Sequence, residues 1–238
     1  MKQHTSVFML MARSTIYRVL GLLIVMAAAE AGLFWLRIQQ GVVDGSFHLE
    51  GVIAGSKLTW ACAAGFQLVT ALLFWGCYTV SHSYTAARLS VSNKTVFLWQ
   101  CVYNAACYLL FWAVQILIAM ALCHWYTVLA PVEYVSNQTV FLAFYRSEFL
   151  HSLLPFEDWL CWVRNVILVA ALSICAARCP GVAYKRIRIN DFLMFLVVFF
   201  FAREIGAYPN YIFLTLVALL CASLALRKAL RKEAPDEA

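Results

Sequence analysis

A chain of 238 residues that is 64% hydrophobic and only 13% charged, with a mean hydropathy of +0.79, carries too little polar surface to cover a water-soluble core. That balance excludes a soluble enzyme, a disordered protein and a nucleic-acid binder, despite a formal net charge of +6. The length fits one multi-pass membrane unit, all-α because a bilayer forces each backbone polar group to find its partner inside the helix.

A helix needs roughly 20 mainly apolar residues to cross the hydrocarbon layer. The first predicted span is 19–36. Ala27-Ala28-Ala29 after a basic start has the look of a leader cleavage site, but the apolar run resumes at Gly32–Leu36, as in a retained span. Glu30 lies inside this span. Gly51 to Lys57 superficially looks like a phosphate loop, yet the Lys neither follows a Gly directly nor precedes Ser or Thr, so no ATP site is read there.

The second span is 58–80 and the third 96–123. Between them Ser92 or Asn93 is placed to N-cap the third helix. In the third span Gln100, Asn104, Cys107, Tyr108, Phe111 and Gln115 fall on one helical face, which must point into the bundle because amides in lipid seek partners. That face is either interhelical glue or a substrate surface. The stretch 139–154 is too apolar for a solvated loop and too interrupted for a span; it reads as an interfacial or re-entrant helix ended by Pro155.

A fourth span covers 159–177, with Arg164 near its start. The region 192–226 is too long for one crossing, and Gly206–Asn210, with Pro209, divides it into spans 192–205 and 211–226. Arg203 and Glu204 close the fifth span. Ionisable groups at such depth are costly, so Glu30 is expected to pair with Arg164 or Arg203, as a structural ion pair, a gate or a proton site.

Thirteen of the eighteen basic residues fall at the two ends of the chain or in the loops after spans two and four, against three in the alternate loops. The asymmetry predicts six spans, with both termini in the cytoplasm of a cell membrane. The nine cysteines lie mostly within spans, where Cys behaves as a small apolar residue. His151, Glu157, Asp158 and Cys161 follow no metal-site spacing, and no paired nucleophile and base occurs in a span, so no metal, cofactor or catalytic residue is expected. Asn137-Gln138-Thr139 matches a glycosylation sequon.

The segment Tyr84-Thr85-Ala86-Ala87-Arg88-Leu89-Ser90-Val91-Ser92-Asn93-Lys94 resembles the loop after the second span in permease subunits of type-2 ABC exporters. The likeness rests on about a dozen positions and on the six-span order; Ser90 stands where that family often has proline, and the longest outer loop follows span three. The resemblance implies a transport subunit whose loop, through Tyr84, Arg88, Leu89, Val91 and Lys94, docks a separate cytoplasmic ATPase, the membrane subunits pairing as homo- or heterodimers. The alternative is a membrane scaffold or sensor subunit that transports nothing.

Overall fold

The computed structural model describes residues 2–44, 48–81, 92–156, 158–177 and 208–231, and these are all-helical. Four of the described helices are long and apolar enough to cross a bilayer, which makes the chain an integral membrane protein. They are α1 (Lys2–Asp44), α3 (Leu58–Ser81), α4 (Asn93–Leu129) and α7 (Trp159–Ala176). A short α2 (Leu49–Gly55) precedes α3, while α5 (Thr139–Arg146) and α6 (Glu148–Leu153) precede α7. The last described helix, α8 (Tyr208–Arg231), packs along α7.

The predicted spans 58–80 and 159–177 coincide with α3 and α7 within a residue. The first and third are longer than expected. In α1 the buried positions are Val7, Met11, Thr15, Val19, Leu23, Met26, Glu30, Phe34 and Ile38, one seam running well beyond 19–36 at both ends. Arg13 and Arg18 interrupt the hydropathy but face away from that seam, so the charges shorten the apolar run without ending the helix. Span 192–205 lies outside the described residues, whereas 211–226 lies within α8. Pro209 occupies the first turn of α8, where its missing N–H costs no hydrogen bond.

The long helices alternate in direction. Thr15 of α1 meets Gly76 of α3 and Met26 meets Gly65, so the two run antiparallel. At both glycines a Cβ would collide with the opposing side chain, so the missing methyl lets α1 and α3 approach closely. The α7–α8 contact uses the same device, with Ala171 against Ala218 and Ala222, four residues apart.

Two apolar cores are stacked along the bundle. One joins Met11–Met26 of α1 to Phe66–Val80 of α3, Tyr103–Phe111 of α4, and Leu172 and Ala176 of α7. The other surrounds the far ends of α1 and α4 with Val52 and Ile53 of α2, Phe144 of α5, and Phe149, Leu150 and Leu153 of α6. The expected single helix at 139–154 is therefore two, divided at Ser147, whose backbone is extended at φ −78° and ψ 117°. Both short helices bury one side against the second core, and Phe141, Tyr145 and Phe156 stay exposed.

Exposed aromatic residues lie towards both ends of the bundle. Tyr17 and Trp75 lie towards one end of α1 and α3, Trp35 and Trp60 towards the other. From Tyr17 to Trp35 a helix rises about 27 Å, close to a hydrocarbon thickness of about 30 Å. Such belts are where amphipathic rings settle at the headgroup level.

Candidate functional site

α4 starts where its sequence predicts. Ser92 Oγ accepts the Thr95 backbone N–H at 3.3 Å, satisfying one of the donors left over in the first turn. From there the helix carries its predicted face, and Gln100, Asn104, Cys107, Tyr108, Phe111 and Gln115 are all buried.

Each polar member of that face is bonded to a different part of the bundle. Gln100 Nε2 donates to Ser81 Oγ at 3.1 Å at the end of α3. Asn104 Nδ2 donates to the Ser173 carbonyl of α7 at 3.2 Å and lies against Cys77 of α3. Tyr108 Oη donates to Thr70 Oγ1 at 3.2 Å. Tyr103 Oη and Thr15 Oγ1, 2.6 Å apart, bind α4 to α1. Thr15 was not foreseen as a site residue. Its signal lay in the four-residue spacing Val7-Met11-Thr15-Val19, which the charges on the opposite face obscure.

The row ends at a buried acid of α1. Gln115 Nε2 stands 3.0 Å and 2.9 Å from the two carboxyl oxygens of Glu30, and Glu30 is 1% exposed. The pair sits between the stacked cores. On α1 it lies between Met26 of one and Phe34 of the other; on α4, between Phe111 and Ala119. A cavity of about 80 Å³ adjoins it, lined by Gln115, Cys62, Phe66, Trp112, Phe149 and Asn165 among others.

Of the two basic partners expected for Glu30, Arg164 does not pair with it. Arg164 is buried near the start of α7, but its Nε and Nη2 donate to Asn165 Oδ1 at 3.1 Å and 2.9 Å. Among the described residues no basic group lies within ion-pair distance of Glu30. A neutral amide on the facing helix meets the carboxyl group, and Asn165 accepts from two nitrogens of the guanidinium. Arg203 and Glu204 lie outside the described residues.

Of the expected docking segment, Tyr84, Arg88, Leu89 and Val91 also lie outside the described residues, while Lys94 is exposed on the first turn of α4. Of the weighed set His151, Glu157, Asp158 and Cys161, His151 Nε2 is 3.7 Å from Asp158 Oδ2, and Cys161 Sγ is 4.0 Å from the same oxygen. Among the described residues no three His, Cys, Asp or Glu side chains are grouped to hold a metal ion. Comparison with known proteins gives no matching family model, no matching curated protein and no matching solved structure.

Proposed function

We propose that this chain is the membrane-spanning permease subunit of an ATP-driven exporter, working with a separate cytoplasmic ATPase subunit. In this reading the chain crosses a cell membrane six times, with both termini cytoplasmic, and dimerises with itself or a related subunit to enclose a path. It performs no catalysis itself. The observation that carries the reading is the position of α4: it begins at Asn93, capped by Ser92, within the last residues of the segment that resembles a docking loop, and its buried face is bonded to α1, α3 and α7. A displacement applied at the N-terminal end of α4 would therefore reach three other helices through hydrogen bonds rather than through lipid.

Replacing Leu89 and Val91 with Ser tests the reading. The apolar pair would supply burial in a small mixed interface, while Arg88 and Lys94 would orient the encounter. The double variant is expected to insert normally and to lose the ATPase on copurification. Full ATPase recovery at normal expression would remove the reading. One observation favours the alternative of a non-transporting scaffold or sensor: the polar face of α4 spends its hydrogen bonds inside the bundle. ATP hydrolysis by the copurified complex that responds to candidate cargo separates the two.

A further inference from the structure

Beyond the second core the surface holds a cavity of about 380 Å³, lined by His48, Glu50 and Gly51 at the start of α2, Tyr134 of the turn after α4, and Thr139 and Arg146 of α5. Its volume falls within the range of about 300–1,000 Å³ typical of small-ligand sites. It also lies outside the aromatic belt. Gly55, at the end of α2, sits against the Arg37 guanidinium, two residues past Trp35 on α1, so α2 lies at the level of an exposed ring of the kind that settles among headgroups.

Charges of both signs flank the cavity. Arg146 Nη1 lies 3.3 Å from Glu50 Oε1, with the two side chains 61% and 42% exposed. An ion pair so open to water adds little to stability. It can open to a ligand that offers an anion to Arg146 and an ammonium to Glu50 without leaving either charge unpaired. His48 stacks edge-on to Tyr134 at 5.4 Å, adding an aromatic wall. On the adjacent face of α5, Phe141 and Tyr145 are exposed, one helical step from the residues that line the cavity. Phe156 packs 6.0 Å from Phe141 and prolongs this apolar row.

We infer that this cavity binds the headgroup of a phospholipid bearing both a phosphate and a primary ammonium, with the acyl chains running along the Phe141–Tyr145–Phe156 row. The phosphate meets Arg146 and the ammonium donates to Glu50. A quaternary ammonium has no N–H to give Glu50, and a glycerol headgroup has no cation, so both are discriminated against. The inference does not rest on the exporter reading.

The test uses the full chain in detergent, delipidated and then offered dioleoylphosphatidylethanolamine, its choline and glycerol counterparts, or free phosphoethanolamine, with bound ligand counted by native mass spectrometry. The ethanolamine lipid is expected to be retained in preference to the other two. Arg146→Gln should weaken it about tenfold, the equilibrium equivalent of one hydrogen bond to a charged group. Glu50→Gln should abolish the preference over the glycerol lipid. Gly51→Leu keeps both charges and adds bulk at the cavity wall, where a Cβ meets nothing within 4 Å, and it too should lose the lipid. Thermal midpoints without lipid should stay near that of the parent, because Arg146 is exposed and Glu50 partly so. Equal retention by all variants would identify loosely bound annular lipid and overturn the inference. So would a preference for the glycerol lipid. Free phosphoethanolamine binding as tightly as the lipid would overturn the membrane source and leave a soluble zwitterion.

Discussion

Replacing Gln115 with Leu would leave the Glu30 carboxyl group buried between two apolar cores without the amide that now faces both its oxygens. A hydrogen bond between neutral groups in a membrane bundle is worth about 0.6 kcal/mol on average, and one to a charged group about 1.5–3 kcal/mol. Full burial and contact with both oxygens place this pair in the upper range, so Gln115→Leu should cost about 2 kcal/mol. For a chain of this length that is a fall of about 4–8 °C in the thermal midpoint. Glu30→Leu should cost a similar amount by stranding the amide. The double variant removes both polar groups, and a matched apolar pair in such a site is nearly neutral. A double-mutant cycle followed by thermal unfolding in one detergent is thus expected to give a coupling energy of about 4 kcal/mol, the two single losses of about 2 kcal/mol each set against a near-zero double loss. Single-variant losses that simply add would refute the pairing as an energetic unit.

Glycine substitutions should separate packed from open positions. Gly65→Ala and Gly76→Ala, where a Cβ would strike Met26 or Thr15, should each destabilise by about 1–3 kcal/mol by overpacking, whereas Gly21→Ala and Gly32→Ala, with nothing within 4 Å, should be neutral or gain a few tenths to about 1 kcal/mol in the same melts. An impermeant thiol reagent added outside cells should label a cysteine at 136, an exposed position beyond α4, and spare one at 87, in a background without reactive native thiols. Labelling at 87 from outside would reverse the proposed orientation.

The sequence was informative where one helix carries the whole signal. The polar face of α4, its Ser92 cap and the bounds of α3 and α7 all follow from spacing within a single element. Glu30 was legible as a buried acid for the same reason. That Gln115 faces it was not, because which residue of α4 stands opposite depends on the register between helices, which no spacing within one helix records. The extent of α1 was hidden differently. Arg13 and Arg18 lower the local hydropathy while Val7, Met11 and Thr15 continue the buried seam, so an average over the window loses what the face retains. The partition of 139–154 into two helices depends on the extended Ser147, and no glycine or proline announces it.

α1 runs from Lys2 to Asp44 through both cores, and its 43 residues make a rod roughly 65 Å long. Pivoted at Glu30, its longer arm reaches roughly 42 Å to the first turn. A tilt of about 5° there would carry that end through about 4 Å, roughly two thirds of the pitch of a helical turn. A displacement at the far core and one at the opposite end of α1 would thus act on two ends of one lever, with the Glu30–Gln115 bond beside its fulcrum.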